Sequence, residues 1–386
     1  MSKIEKLIEE LCPNGVEYNK LEFCCRILDN KRKPISKNSR NIGIYPYYGA
    51  NGIQDYIDNY IFDGKYVLIG EDGSVQTQNG NPIVNWAEGK IWVNNHAHII
   101  EEANNVLLRY LFHYLQIVDV SDLIHGNIPK LTGSDFRNII VPVPPLEVQE
   151  EIVRILDKFG ELEAELEAEL EARKSQYEFW RDKLLNNNMQ KFYIKDICIN
   201  ISSGGTPSTR NPDYYNGNIP WLRTQEINWN SIKDTEIKIT NEAVLNSSAK
   251  LIPKNCVIIA MYGATVGKSA FNNIPLTTNQ ACCNLEINSN LANYKYVFYW
   301  FLNKYKYIKS LGQGSQTNIN SQIIKNLVIE LPSLQEQEKI VNILDKFNKL
   351  VNDISEGLPA EIEARRKQYE YYRNKLLSFE ELVVNE

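Results

Sequence analysis

Between Leu146 and Leu185 the apolar residues Ile152, Ile155, Leu156, Phe159, Leu162, Leu166 and Leu170 step by three or four positions, the spacing of one helical face. The preceding Pro142-Val143-Pro144-Pro145 stops a strand and admits a helix. Forty residues at ~1.5 Å each make a rod of about 60 Å. A second pattern of this kind runs from about Leu334 to Leu377, after Leu331-Pro332. Gly357 and Pro359 are placed to kink or break it. Either rod alone would leave its apolar stripe in water, so the two are expected to pair as an antiparallel coiled coil.

These two stretches are copies of one another. QEEIVRILDKF at 149–159 recurs as QEKIVNILDKF at 337–347, with nine of eleven positions identical. EARKSQYEFWRDKLL at 171–185 recurs as EARRKQYEYYRNKLL at 363–377, with ten of fifteen identical. The offset grows from 188 to 192, so the second copy carries four extra residues between the blocks. The segments between the rods match only at landmarks, among them Asn95-His96-Ala97 with Asn279-Gln280-Ala281. The expected fold is therefore α/β (α+β) with a pseudo-two-fold internal duplication. Two globular domains with mixed β-sheets, at 1–145 and 191–333, are separated by a spacer helix at 146–190 and a distal helix at 334–386.

Charge changes what this architecture could bind. The whole chain has a net charge of −6, which would disfavour nucleic acid. The second globular segment, however, carries 14 basic and 8 acidic residues, whereas the spacer carries 6 and 12. A local basic surface, not the global balance, is the electrostatic footprint of a nucleic-acid binder. The spacer's LEAELEAELEAR stacks like charges at i,i+4, which high helix propensity offsets. Antiparallel pairing would set it opposite 353–363, which offers no basic counter-charge. It reads as a solvated spacer or a partner-binding face. No apolar run approaches the ~20 residues of a membrane span, and the amphipathic start MSKIEKLIEEL has no signal core; a cytoplasmic protein without membrane association is expected. Seven cysteines without C-x-x-C spacing, and four histidines without a ligand pattern, point to neither disulfides nor metal.

The stretch YGATVGKSAF at 262–271 resembles a phosphate loop but has three residues between its glycines instead of four. A strand, Val257–Met261, precedes it, and Asn272-Asn273-Ile274-Pro275 follows as a turn rather than a first helical turn. It reads as strand–turn–strand, and no ATP binding abolished by Lys268→Ala is expected. Asn211-Pro212-Asp213-Tyr214 only faintly echoes an amino-methyltransferase motif: it lacks the second proline and a Gly-rich cofactor loop. No nuclease or helicase constellation is visible, and catalytic residues and metal ligands are expected to be none.

Amide, hydroxyl and basic side chains cluster in Gly-rich loops, where they suit phosphates and base edges. In the first segment the DNA-binding candidates are Lys31, Arg32 and Lys33 of a basic run, Tyr48 and Asn51 of YPYYGANG, and Ser74. Asn95, His96, Asn127 and Lys130 join them. In the second they are Ser203, Thr206, Ser208, Arg210, Arg223 and Gln225. Further along come Tyr262, Thr265, Lys268, Asn279 and Gln280, then Gln313, Ser315, Gln316 and Asn318 of GQGSQTNIN. For the basic run and the Gly-rich loops a plain solvated surface is the competing reading.

With these motifs in view, the chain resembles the specificity (S) subunits of type I restriction–modification systems. The carriers are the repeated rod blocks, the LEAE spacer, ISSGGTPSTRNPDYYNGNIPWLRTQEI at 201–227, AMYGATVGKSAF and GQGSQTNIN. The first segment matches more loosely, with IGEDGSV at 69–75 standing where the second has AMYGATV. The resemblance implies a non-catalytic subunit of a restriction endonuclease/adenine-methyltransferase complex. Its two target-recognition domains would read the halves of a bipartite, asymmetric site on double-stranded DNA. The rods would dock two methyltransferase subunits, with nuclease/translocase subunits joining that core. On that surface Gln149, Arg154, Tyr177, Trp180 and Arg181 are the candidates, with Gln337, Tyr369, Tyr372 and Arg373 in the second copy. S-adenosylmethionine, Mg and ATP would sit on the partner subunits and none on this chain. The alternative is a stand-alone sequence-specific DNA-binding protein without methyltransferase partners.

Overall fold

In the computed structural model, residues 3–73, 75–103, 105–186, 189–312 and 318–382 are described. They form two compact units, Met1–Glu167 with Ile362–Glu386, and Ala168–Glu361. Leu146–Leu185 is one helix of 40 residues, beginning in the first unit and ending in the second. The second rod is broken into helices Leu334–Asn352 and Leu358–Leu376. The break has a steric cause: a Cβ on Gly357 would lie 2.6 Å from the Lys349 carbonyl, so the chain folds back where only glycine fits. Ser333 caps the first of these helices, its hydroxyl accepting from the Glu336 N–H at 3.3 Å. Among the described residues no helix is long and apolar enough to cross a membrane.

The first unit is built on a six-stranded mixed sheet in the order Cys25–Ile27, Ala97–Glu102, Phe62–Gly70, Val84–Val93, Ile42–Gly49, Gly52–Ile57. Only Ile42–Gly49 and Val84–Val93 run parallel. A separate ribbon pairs Glu17–Lys20 with Ile140–Val143. Val148, Ile152 and Leu156 from the spacer helix, and Leu376 and Leu377 at the end of the distal one, complete this unit's core. Each fully buried aliphatic side chain there contributes about 1.5–3 kcal/mol.

The second unit repeats the plan. Its five-stranded sheet runs Cys198–Ser203, Cys282–Ile287, Val257–Ala260, Ser269–Asn272, Ser231–Ile232. A three-stranded sheet runs Lys238–Ile239, Ile219–Leu222, Thr277–Thr278. The ribbon is again present, Gln190–Tyr193 with Val328–Leu331. Tyr177 and Leu185, together with Ile340, Val341 and Leu344, close the core. Helix halves thus pack inside each unit: Phe159 stacks with Tyr372 at 5.5 Å in the first, Tyr177 with Phe347 at 6.2 Å in the second. The spacer also has a counter-charge that the sequence did not reveal, since Arg366 bridges Glu163 and Glu167. Pairing register brings residue 366, just beyond the stretch expected to face the tract, onto its acidic face.

Candidate nucleic-acid interface

The turn at 263–267 joins the antiparallel strands Val257–Ala260 and Ser269–Asn272, with Gly263 and Gly267 at φ +85° and +81°. Three of its amides are spent internally. Val266 N–H donates to Gly263 O, Gly267 to Ala260 O and Lys268 to Thr265 O, all within 3.1 Å. A phosphate cradle needs those donors free. Side chains instead tie the turn to the neighbouring segment: Lys268 Nζ donates to Asn228 Oδ1 (2.6 Å), and Thr265 Oγ1 to Thr224 O (2.7 Å). Next to it Gln225 is exposed, and its amide oxygen, turned toward Arg223, accepts from both terminal guanidinium nitrogens. Arg223 itself is held by Glu236 at 2.5 Å and lies 3.6 Å from Glu226. It is an orienting cation for Gln225 rather than a free phosphate arm.

Ser203, Thr206, Ser208, Arg210, Tyr262 and Gln280 are exposed in the same unit, and Thr206 is hydrogen-bonded to Gln280. Asn279 differs from expectation. Its Oδ1 accepts from Ala281 N–H (3.2 Å) and the Cys282 thiol, making it a turn-former entering the strand Cys282–Ile287. In the first unit the same i→i+2 turn is made by Asn94, not Asn95: Asn94 Oδ1 accepts from His96 N–H at 2.8 Å. The structural register therefore aligns Asn95 with Gln280, one residue away from the sequence landmark. Asn318 is half-buried, with its Oδ1 unpartnered. Gln313, Ser315 and Gln316, and Ser74 in the first unit, lie outside the described residues.

The first unit's basic run divides. Lys31 and Lys33 are exposed, as are Asn51, Asn95 and Asn127. Arg32 is not a surface arm: only 12% of its side chain is exposed, and it donates to Glu71 (2.6 Å), Ala97 O (2.7 Å) and Asp29 O (2.9 Å). Lys130 also reaches Glu71, at 3.2 Å. Buried acids require such compensation, so these cations serve the fold. His98 Nδ1 pairs with Asp29 Oδ2 at 2.7 Å. Asp29, Glu71 and His98 hold ligand-type atoms within 4.8 Å of one another, but Arg32 and Lys130 already supply the cluster's positive charge. Burial pushes the Asp29 carboxyl up, and the His98 and Arg32 contacts outweigh it to leave the group below its ordinary value. Tyr48, expected at the interface, is a core residue with 8% exposure. His96 is exposed and paired with Asp72 at 2.5 Å.

Beneath these surfaces lies a junction that is the same in both units. Gln149 Oε1 accepts from Leu107 N–H (2.9 Å), while its Nε2 donates to Pro144 O (2.8 Å) and Asn105 O (3.3 Å). Gln337 repeats this with Asn293 N–H (2.8 Å), Pro332 O (2.9 Å) and Leu291 O (3.3 Å). Both are fully buried, so neither can be a docking residue; each fastens a long helix to its own sheet domain. Two turns later Asp157 takes Arg109 and His113, both at 2.8 Å, and Asp345 takes Lys295 and Tyr299, both at 2.6 Å. Sequence reasoning missed both aspartates; their signal was the identical LDKF, read only as part of a stripe. Burial pushes the Asp157 carboxyl up, but the His113 and Arg109 bonds leave it lowered overall, while burial lowers His113. Of the remaining docking candidates, Arg154 is exposed but chelated by Glu151 (2.6 and 2.9 Å). Tyr372 is exposed and Trp180 and Tyr369 half-buried, whereas Tyr177 is buried.

Comparison with known proteins gives this duplicated arrangement a context. The type I restriction modification DNA specificity domain matches residues 13–172 and again 186–364. A putative type I restriction enzyme specificity subunit of Haemophilus influenzae is 36% identical, over 97% of this chain and 98% of its own. The EcoR124I/EcoR124II specificity subunit of Escherichia coli is 38% identical over 72% of each chain. Among solved structures, the S subunit of a Mycoplasma genitalium type I restriction–modification system shares the fold with a TM-score of 0.61 at 14% identity, covering 94% of this chain and 96% of that one. The HsdS subunit of Thermoanaerobacter tengcongensis does so at 0.52, covering 96% and 99%. The chain belongs to the family of DNA specificity subunits of type I restriction–modification systems.

Proposed function

We propose that this chain is the reader of a bipartite, asymmetric DNA site, with one half-site taken by the domain at 1–145 and the other by that at 191–333. The helices at 146–190 and 334–386 hold the readers at a set spacing and dock two adenine-methyltransferase subunits, which nuclease/translocase subunits then join. Catalysis, S-adenosylmethionine, Mg and ATP belong to those partners. The observation that carries this reading is the contrast within the duplication. The buried Gln junction is repeated bond for bond and the Asp junction position for position, while the exposed loops differ: Asn95 and His96 stand where Gln280 and Ala281 stand in the other copy. Two unlike readers on one repeated mount would have this form.

In the second unit Gln225 and Gln280 are the base-edge candidates, since an amide can pair bidentately with adenine. Thr206, oriented by Gln280, and Lys268 then serve phosphates. In the first, Asn51, Asn95 and Asn127 take the amide role and Lys31 and Lys33 the phosphates. Methylome sequencing of a host expressing the chain with a methyltransferase and its nuclease partner tests this. A new two-part methylated motif with a fixed gap is expected. Stable co-purification with methyltransferase but a continuous motif would overturn the bipartite assignment, and no co-purification at all would leave a stand-alone DNA-binding protein.

A further inference from the structure

One feature of the helices is left unused by the junctions. In both copies an arginine lies over the tyrosine one turn earlier, Arg181 over Tyr177 and Arg373 over Tyr369, each at 5.1 Å from the ring centroid. In both copies the arginine Nε is buried and without a hydrogen-bond partner. The Tyr177 hydroxyl, on a residue with 4% exposure, is likewise unpartnered. Each tyrosine also meets the phenylalanine of the repeated LDKF block, Phe347 at 6.2 Å and Phe159 at 6.3 Å. Stacking on the ring fixes the guanidinium plane, and its fork is thereby presented rather than folded away.

The charge is left over as well. Arg26, Arg32, Arg40, Arg109, Arg154, Arg173, Arg223 and Arg366 all meet a carboxylate. Among the described residues Arg181 and Arg373, the same position of the repeat, meet none, which they share with Arg137 and Arg210; Arg373 donates to the Gln116 amide oxygen at 3.0 Å. Arg181 and Tyr177 line an open cavity of about 760 Å³, together with Asp345, Asn348 and Asn352. A buried donor without an acceptor costs about 1–3 kcal/mol, and both units carry that cost at the same position of the repeat.

We infer that each Tyr–Arg pair is a socket for an acidic side chain of a docked protein, one from each of two identical methyltransferase subunits. The inference rests on the proposed reading of the helices as docking surfaces and adds the chemistry of the contact. A carboxylate meets the two terminal guanidinium nitrogens end-on, a bidentate match that an ammonium or an apolar knob cannot make; the tyrosine supplies only its ring, the Tyr369 hydroxyl being already bonded to His113 at 3.3 Å and Tyr177 buried. Two sockets of the same build accept two copies of one partner, one in each unit.

The test co-expresses the full-length chain with its methyltransferase and counts copies by native mass spectrometry, with affinities from titration. The wild type should take two. Arg181→Met and Arg373→Met should each hold one copy at wild-type affinity and lose the other roughly 30-fold or more, and the double variant should lose both. Arg181→Lys keeps the charge but not the fork, so an intermediate loss is expected; it also serves if the Met variants fold poorly in melting controls. The salt dependence of assembly should flatten in the Met variants, which a purely structural role would not cause. If the wild type takes two copies and the double variant does too, within about threefold, the sockets are wrong and the docking reading survives. If the wild type takes none, both fall.

Discussion

The two units differ most where they face outward and least where a long helix meets a sheet. Gln149 and Gln337 make the same three bonds; Tyr110 and Tyr296 send their hydroxyls to Pro142 O and Glu330 O at matching places in the ribbon. On the outer edge the second unit orients Gln225 with Arg223, whereas the first spends Arg32, from its basic run, on buried acids. A buried polar network works only when every member is satisfied, so partial change there is costly and the copies stay alike. Exposed loops carry no such requirement and can diverge. The strongest way to break the comparison is to cut the junction. Gln149→Ala and Gln337→Ala each strand three main-chain groups in a dry site and should destabilise their own unit by about 2–4 kcal/mol. Hydrogen exchange resolved by unit should show two losses of similar size in the two places; a large loss at one and none at the other would end the claim that the junctions are equivalent.

That claim also shows what the sequence could and could not tell. The rods were legible because local 3.6-residue periodicity and identity between blocks 188 residues apart need no tertiary information. Sheet order was not, since neighbours such as Phe62–Gly70 and Ala97–Glu102 are joined by a third strand that lies elsewhere in the sheet, and strand pairing at that range leaves no local mark. Amide side chains are usually exposed, so sequence alone puts Gln149 and Gln337 at the surface; only the ring of carbonyl and N–H partners around them reveals otherwise. Arg32 and Tyr48 were misplaced for a related reason: Gly-rich, basic and aromatic sequence marks loops near a surface but not which side chain turns inward. Lys268, Gln225 and Gln280 are candidates on chemistry and motif position alone, and the structure adds the bonds that hold them.

A second cut changes spacing rather than stability. Deleting Leu162–Glu165 removes about 6 Å of helix, nearly two base-pair rises. Selection of bound sites from random DNA should return unchanged half-sites with a gap shorter by one or two base pairs. An unaltered gap would remove the spacer role from the helix.

A smaller difference separates the units by pH. Where the second places Tyr299 on Asp345, the first places His113 on Asp157. Burial lowers the His113 pKa below its ordinary 6.5, so the unfolded chain binds this proton more readily than the folded one. The stability this group contributes is present above pH ~6.5 and is lost as pH falls through that value toward the folded pKa. Tyr299 stays neutral throughout, since burial and its bond to Asp345 push it well up. Exchange in the first unit should therefore quicken between pH 7 and 5 more than in the second. His113→Tyr should remove the excess, and its persistence would assign the sensitivity to another group.

The smallest expected effect is the most discriminating for the reader surface. Lys268→Ala removes one ammonium from a turn three of whose amides are already bonded, so it should weaken binding to all DNA sequences alike and reduce the salt slope by roughly 0.9. Gln225→Ala removes no charge; it should leave the slope unchanged and relax one position of one half-site by about 1–3 kcal/mol of discrimination. Because Lys268 and Asn228 are bonded, Asn228→Ala serves as the control: the ammonium remains but its aim is lost, so the slope should hold while affinity falls slightly. If Lys268→Ala instead changed the recognised bases and left the slope alone, the lysine would be reading base edges, and the division between phosphate and base contacts drawn for the second unit would have to be reversed.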